Sequence, residues 1–551
     1  MQRPFHILAC VIMALTGLAL LAMRAGAAPP QTGSFRISGM TVDAESGAPL
    51  AKVTVSLLST HGNREAIGTV MTGADGRFEF NQLAAGKYAL LAQRRGYLTQ
   101  SLDEHEGFST GVAVGPDLVA EGIYYRLQPE ASISGHVLDE ANDPVGGAQV
   151  MLFTEVPGGM AKMQQTRQAL TDDQGFFRLP HLLPRKYMLA VSARPWYAEH
   201  PMPYERFDAE GKAEVIEPAP SALDVAYPLT FYLDATDAES ATPIALSAGE
   251  RATADVVLQA MPAIHLRIHT PVDSAKPGLP YNPAGVSVRK QVFDADVYVQ
   301  PATFQRAGLT EVGGLAPGRY EVSITTRDGE KQTESRQELD LSTSRDIESK
   351  ENAAALVAVG GTLRFEDGTA AKNASGSTVW LRELKSERKF AAPVEADGSF
   401  EFGQSLGPGK YEVALAEPGV YLKSVSASGA RVAGREISVG SKPVKLALIA
   451  GRGLATVDGT AFREGKPRAG AMVVLVPEKP AGQEILFRRD QSDSDGTFTL
   501  PSVVPGRYVV IALERWGIRW LDPDVLRTYT PQGQAIEVQP NGKYKVTVQV
   551  Q

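Results

Sequence analysis

Residues 75–88 of the chain read DGRFEFNQLAAGKY. Asp75-Gly76 is a turn signal, because glycine adopts the positive φ that many tight turns require. Phe78 and Phe80 alternate with polar residues, as in a strand that buries one face. A second turn leads into the strand that contains Tyr88. The stretch predicts a strand–turn–strand unit of a β-protein, in which the Asp-Gly turn closes a tight hairpin.

The same punctuation recurs along the chain, which indicates an internal repeat. The interval from a Phe after the turn to the Tyr is ten residues in three copies and eleven in a fourth, and a fifth copy keeps only the second half. These stretches are Phe78 to Tyr88, Phe177 to Tyr187, Phe498 to Tyr508, Phe400 to Tyr411, and Leu315 to Tyr320. Because the five tyrosines recur at one position of the repeat, we interpret them as architectural.

The openings of the units set the repeat length. Small-residue strands with a glycine at 39, 135, 361 and 459 begin the four clear units, so the spacings are 96, 226 and 98 residues, and the long gap has room for one degenerate copy. Alternation dominates, with almost no sustained helical period, and this predicts an all-β chain of about five tandem antiparallel β-sandwich domains. We expect them at 34–129, 130–259 with an extended C-terminal loop region, 260–349 as the degenerate copy, 354–449 and 450–551.

The first thirty residues have the features of an export signal. Arg3 precedes an apolar run from Ile7 to Met23, and the small residues Ala25-Gly26-Ala27 follow. This pattern predicts a secretory signal peptide cleaved after Ala27, the alternative being an uncleaved membrane anchor. Cys10 is the only cysteine, so the mature chain would have no disulfide and no Cys nucleophile. We expect a periplasmic, cell-surface or extracellular protein without a membrane span.

Composition and motifs argue against several classes of function. The chain has 55 basic and 63 acidic residues, a formal net charge of −8 and no basic cluster, which speaks against a nucleic-acid partner. Zinc-peptidase, serine-hydrolase, phosphate-loop and dinucleotide motifs do not occur in a fitting context. His265 and His269 alternate with apolar residues, and we interpret them as one exposed face of a strand rather than metal ligands. Asp493 and Asp495 supply too few oxygens for a full Ca²⁺ loop, which favours a plain turn. We therefore expect no cofactor, no metal and no enzymatic activity.

Several of these segments together resemble a known family. The order of residues 133–139 (ISGHVLD), 144–150 (PVGGAQV), 173–177 (DQGFF) and 185–187 (RKY) is similar to that of the carboxypeptidase regulatory-like domain. The resemblance implies a transthyretin-like (prealbumin-like) sandwich of about seven strands, related to Cna-B domains, and a non-catalytic role. It covers most of residues 34–551 and is weakest over about 260–345, where the Asp-Gly-x-Phe turn is missing.

Aromatic residues outside the repeat are the best binding candidates. Trp196 and Tyr197 follow the Tyr187 strand in a proline-bounded loop, and Trp516 and Trp520 lie in the last unit. Exposed indole faces stack on sugars or peptide side chains, whereas buried ones fill cores or anchor loops.

These observations predict an exported, non-catalytic rod or string of β-sandwiches, with polysaccharide or an envelope protein as partner. A purely mechanical spacer is one alternative, and a hydrolase of unrecognised type within residues 195–345 is another.

Overall fold

The computed structural model describes residues 33–60, 65–155, 158, 163–207, 209, 213–270, 285–293, 295–298, 301–306, 308–328, 331–369, 377–386 and 388–551. The predicted signal peptide and Cys10 lie outside these residues. Strands account for 58% of the structure and helices for 3%, which confirms the all-β prediction. None of the helices in the described part of the chain combines the length and the apolar character needed to cross a bilayer.

The first sandwich contains eight strands. In chain order β1–β8 are Phe35–Asp43, Thr54–Ser59, Ala66–Met71, Arg77–Leu83, Gly86–Gln93, Gln100–Ser101, Val112–Val114 and Ile123–Leu127. One sheet has the order β4-β1-β8, and the other has the order β3-β2-β5, with β6 and β7 both paired to β5. The inward side chains of both sheets form one core, in which Ile37, Val55 and Tyr125 are fully buried.

The second sandwich has the longest segments that lie outside its two sheets. Its strands β9–β21 are Ala131–Leu138, Gln149–Glu155, Met163–Leu170, Phe176–Leu182, Lys186–Ser192, Tyr204–Phe207, Ala213–Ile216, Val225–Ala226, Thr230–Phe231, Ile244–Ala245, Arg251–Thr253, Val256–Val257 and Met261–Pro262. The sheets are β12-β9-β19, with β20 also on β9, and β11-β10-β13-β17, with β18 on β13. The hairpin β14-β15 and the pair β16-β21 lie outside both sheets.

The third sandwich is complete although its sequence signature is degenerate. Its strands β22–β30 are Ile264–His269, Gly285–Val292, Ala295–Tyr298, Ala302–Arg306, Leu309–Leu315, Gly318–Asp328, Lys331–Leu341, Arg345–Glu348 and Ala353–Ala355. They form the sheets β25-β26-β22-β29 and β24-β23-β27-β28-β30 around a separate core. The loss of the Asp-Gly turn therefore did not remove the fold.

The last two sandwiches follow the same plan. In the fourth, β31–β39 are Val359–Phe365, Thr378–Glu383, Lys389–Pro393, Ser399–Glu401, Gly409–Ala416, Val420–Ser428, Ala430–Ala433, Glu436–Val439 and Val444–Arg452. In the fifth, β40–β47 are Ala455–Arg463, Lys466–Pro467, Met472–Pro477, Arg488–Gln491, Thr497–Val503, Gly506–Leu513, Gln534–Val538 and Lys543–Gln549. Short helices occur at Ala238–Ser240, Glu484–Leu486, Pro523–Leu526 and Thr530–Gln532.

The Asp-Gly turns connect opposite sheets. Their glycines have φ between +70° and +85°, as predicted, and these glycines are Gly76, Gly175, Gly398 and Gly496. In all four, the glycine carbonyl accepts a backbone hydrogen bond of 2.7–2.9 Å from the opening strand of the same sandwich. The hairpin prediction is wrong, because the strand before the turn and the strand after it belong to different sheets. The turn carries the chain across the core.

The opening strand of each sandwich has a parallel partner, and in the second sandwich it has two, β19 and β20. The opening strand pairs in parallel with a strand near the end of its unit, as in β1-β8, β9-β19, β22-β29, β31-β39 and β40-β47, whereas the other pairs are mostly antiparallel. Because the two paired strands run in the same direction, the chain leaves each sandwich near the end opposite to the one at which it entered. Only one to three residues then separate consecutive sandwiches.

The repeated tyrosines have one structural role. Each hydroxyl donates a hydrogen bond of 2.6–3.0 Å to the carbonyl four residues earlier, and the tyrosines are Tyr88, Tyr187, Tyr320, Tyr411 and Tyr508. The bond ties the start of each strand to the turn that precedes it. This geometry supports the architectural interpretation.

Candidate binding site

Trp196 projects from the second sandwich into solvent. The chain leaves β13 at Ser192, and the Trp196 side chain lies just beyond Pro195 with 88% of its surface exposed. Its ring meets the ring of Tyr197 edge-on, with centroids 5.7 Å apart. An indole this open is unusual in a folded protein, because burying it would remove a large apolar area from water.

The base of this loop is anchored. The hydroxyls of Tyr197 and Tyr227 both donate to the carboxylate of Glu140, the second at 3.2 Å. Burial and the neighbouring Glu140 raise the pKa of Tyr197 to about 12, so the phenol stays protonated and keeps donating. Trp196 therefore stands on a fixed support rather than on a loose loop.

Further solvent-exposed aromatic rings follow in the same segment outside the two sheets. The hairpin β14-β15 carries Tyr204 and Phe207, of which 53% and 64% are exposed. We call residues 193–207 the aromatic insertion. A two-stranded hairpin without a packed face gains little stability by itself, so this segment contributes a surface more than a core.

Trp516 lies in a different setting. Only 8% of its surface is exposed, its Nε1 donates to the Gly470 carbonyl at 2.9 Å, and His105 of the first sandwich stacks on its ring with centroids 4.9 Å apart. Phe108 covers another part of the ring at 6.0 Å. The first sandwich covers a face of the Trp516 ring, which agrees with the alternative that this candidate anchors a loop or fills a core rather than contacting a ligand.

Trp520 belongs to the same contact. It packs edge-on against Phe487, and the Arg489 guanidinium lies over Trp520, Trp516 and Phe108 at 4.5, 5.4 and 4.7 Å from the ring centroids. Arg489 also forms an ion pair with Glu106 at 2.5 Å. The sequence analysis grouped Trp516 and Trp520 as candidates in the last unit. In the structure both side chains lie at contacts between sandwiches.

Polar groups complete this contact between the first and last sandwiches. Lys87 pairs with Asp493, and the Asp493 carboxylate also accepts from the Gly111 backbone at 2.9 Å. The Gln491 amide donates to the Asp103 carbonyl and the Thr110 hydroxyl, each at 2.8 Å. The chain therefore closes on itself, and the expected open rod or string is wrong. The turn at Asp493, weighed in sequence as a Ca²⁺ loop, docks the first sandwich instead.

His265 is not on an exposed face, although the strand alternates as predicted. Its two ring nitrogens lie 2.8 Å from carboxylate oxygens of Asp224 and Glu311, and Glu311 is only 3% exposed. His200 bonds to the other oxygen of Asp224 at 3.0 Å. The second sandwich covers this part of β22, which alternation could not reveal. His269, farther along, is half-exposed and contacts Asp346.

Metal binding finds no support at these groups. Across the described ranges, no set of three or more His, Cys, Asp or Glu side chains is arranged to hold a metal ion. Both ring nitrogens of His265 are hydrogen-bonded to carboxylate oxygens, so neither is available as a metal ligand in this arrangement.

The geometry of the first two sandwiches agrees with the similarity of the sequence to known proteins. The family model of the carboxypeptidase regulatory-like domain matches residues 36–116 and 132–200. The two matched ranges lie within the first two sandwiches, so both of these sandwiches are similar to the carboxypeptidase regulatory-like domain. The second of these domains carries Trp196 at the end of the matched range. No curated protein matches the sequence.

Solved structures with some similarity include two pilins and the Bacillus anthracis TIE protein. A Streptococcal ancillary pilin is 12% identical, with a TM-score of 0.20 over 52% of this chain and 98% of that chain. The full-length major pilin RrgB of Streptococcus pneumoniae is 9% identical, with a TM-score of 0.17 over 94% and 99%. The Bacillus anthracis TIE protein is 11% identical, with a TM-score of 0.17 over 94% and 74%. Scores this low carry no inference about this chain.

Proposed function

We propose that the chain is an exported, non-catalytic protein of the cell envelope or extracellular space that binds polysaccharide through the aromatic insertion. The observation that carries the proposal is Trp196, whose indole is 88% exposed on an anchored support. A sugar ring presents a flat apolar C–H face, and stacking it on indole removes apolar area from water on both sides. Glycan binding therefore gives this exposed ring a physical purpose.

Trp196 differs from the other tryptophans in how much of its side chain is exposed to solvent. Trp516 is covered by the contact between the first and last sandwiches, Trp520 is half-buried next to Gly158 of the second sandwich, and Trp380 on β32 is 36% exposed. The predicted export signal and the absence of a recognised catalytic motif in the sequence support the rest of the proposal.

Affinity electrophoresis of residues 28–551 through gels that contain bacterial and plant polysaccharides tests the proposal. We expect at least one polysaccharide to retard the protein, and Trp196→Ala to abolish most of the retardation. Trp380→Ala is the matched control, since it removes a less exposed indole from the fourth sandwich and should migrate like the unmodified chain. Equal retardation of the two variants, or no retardation on any glycan, would contradict the proposal and favour a protein partner or a spacer.

A further inference from the structure

A cleft separates the second and third sandwiches. It has a volume of about 530 Å³, and its walls come from both domains: Gln149, Met151, Gln165 and Leu229 on one side, and Lys290, Val297 and Tyr320 on the other. This volume lies in the range of small-molecule sites, which commonly form between domains.

The cleft is fixed in shape by an apolar cluster between the two domains. Phe293 of the third sandwich packs edge-on against Phe153 and Phe231 of the second, with ring centroids 5.4 and 5.9 Å apart. Met151 and Val292 are buried in the same cluster. A ligand would therefore meet preformed walls rather than having to assemble them.

The ammonium group of Lys290 brings a positive charge into this cleft, where it faces the ring of Tyr320. Its Nζ lies 5.8 Å from the Tyr320 ring centroid, and burial lowers its pKa, which the distant Asp237 offsets only partly. Within the described residues, no carboxylate lies within ion-pair distance of Lys290. The Tyr320 hydroxyl is already committed to the Ala316 carbonyl at 2.6 Å. A half-buried ammonium is costly unless an anion compensates it.

The rest of the cleft lining is suited to a small polar ring. The anionic group that compensates Lys290 would be a substituent of this ring. The amides of Gln149 and Gln165 both donate to the Gln168 side-chain oxygen, at 3.2 and 3.0 Å, which orients them along the wall. Apolar Met151 and Leu229 lie beside these amides in the lining. Hydroxyl groups and a flat C–H face on one small ring would find partners in such a lining.

The cleft and the aromatic insertion are contiguous in the chain. Arg194 and Pro195 line the cleft, and Trp196 follows them directly. One chain of sugars could therefore contact both features.

We propose that the cleft binds the carboxylate of an acidic sugar residue, a uronate, through Lys290, while Trp196 stacks on a neighbouring sugar of the same polysaccharide. This inference rests on the proposed function and narrows it to acidic polysaccharides. The formal net charge of the chain is −8, so an acidic polymer would be repelled overall and must be held by a local cation.

The test compares gels that contain polygalacturonate or alginate with gels that contain the same polymers after reduction of their carboxyl groups to alcohols. We expect the acidic form to retard residues 28–551 about tenfold more strongly, in keeping with a charge-assisted hydrogen bond. Lys290→Met should lose this preference and Lys290→Arg should keep most of it. The matched control, Lys442→Met at an exposed turn of the fourth sandwich, should behave like the unmodified chain.

The outcomes separate this inference from the proposed function. Two results would contradict uronate binding in the cleft but leave the proposed polysaccharide binding intact. In the first, retardation depends on Trp196 but is equal for acidic and reduced polymers. In the second, the retardation is unchanged in Lys290→Met. Absence of retardation in every gel would overturn both proposals. Because Lys290→Met removes a half-buried charge, its thermal midpoint should equal or exceed that of the unmodified chain. A lower midpoint would indicate a structural role and contradict the inference.

Discussion

Asp490 on β43 is a half-buried carboxylate in the last sandwich. Its Oδ2 accepts a hydrogen bond from the Thr499 backbone at 2.8 Å, and the Asp493 carboxylate lies nearby. Burial raises the pKa of Asp490 to about 6, and the charge on Lys87 offsets this only in part. Burial also raises the pKa of Asp493, despite its ion pair with Lys87.

This residue makes the last sandwich more stable in mild acid. Between the unfolded pKa near 4 and the folded pKa of about 6, the folded state binds a proton that the unfolded state does not, so stability rises as the pH falls from 7 to 5. We expect a gain of about 1 kcal/mol, because most of this interval's titration of the folded state occurs over the one pH unit below its pKa of about 6. Thermal unfolding at both pH values measures it, with Asp490→Asn expected to lose most of the pH dependence. A stability that falls between pH 7 and 5, or an unchanged pH dependence in the variant, would disprove this reading.

At the residue level, position outside the repeat identified candidate aromatic side chains but could not reveal their surroundings. Trp196 and Trp516 both occur in irregular segments after a core strand, and nothing local distinguishes them. Whether an indole in such a segment is open or covered depends on residues far away in the sequence, here His105 and Phe108. The alternation of residues correctly predicted that the His265 side chain points away from the core of its own sandwich. It could not predict that a neighbouring domain covers this side of the strand.

Among the elements, the crossover turn is the feature that defines each clear sandwich. At Gly175 the φ is +70°, and a Cβ would lie 2.5 Å from the Val137 carbonyl oxygen of the opening strand. That oxygen cannot move away without disturbing the strand. Glycine is needed here for its backbone conformation and also for the close approach of another strand.

Gly175→Ala should therefore destabilise the second sandwich by about 2 kcal/mol or more, with contributions from the left-handed backbone and from the clash. Gly147→Ala in the same sandwich is the matched control, because Gly147 has φ +73° but no heavy atom within 4 Å of the added Cβ. Hydrogen exchange of β9 and β12 reports on this domain alone. Exchange accelerated at least tenfold more by Gly175→Ala than by Gly147→Ala is the expected result, and equal effects would argue against the clash.

The strands, the turn glycines and the repeat were predictable because they depend on local chemistry. The pairing across each Asp-Gly turn was not, since the same turn fits a hairpin and a crossover between sheets equally well. The parallel pairing of the opening strand was also hidden, because its partner lies up to about a hundred residues away in the sequence.

On the scale of the whole molecule, the first and last sandwiches form a contact that closes the chain. The linkers are only one to three residues long, so each junction constrains the next domain closely. The groups that meet, Lys87, Gln491 and Asp493, look like ordinary surface residues in the sequence. Closure could not be predicted, because it joins polar residues about four hundred positions apart.

Carbodiimide coupling checks this closure, since the reagent joins an amine and a carboxylate only when they touch. We expect the monomer fraction of residues 28–551 to yield a cross-linked peptide that joins Lys87 to Asp493 with loss of one water. Lys87→Arg keeps the charge but cannot be coupled, and should abolish this peptide. Finding the cross-link only in dimers, or not at all, would mean that the closed arrangement does not exist in solution.

Quenching of tryptophan fluorescence by acrylamide reports whether a bound polysaccharide covers Trp196. Trp196 is by far the most open of the four tryptophans, so it should dominate quenching of the free protein. Adding a polysaccharide that retards the protein should lower the quenching to the level of Trp196→Ala, whose own quenching should not change. Quenching that stays the same when the polysaccharide is bound, or that falls equally in Trp196→Ala, would contradict the account.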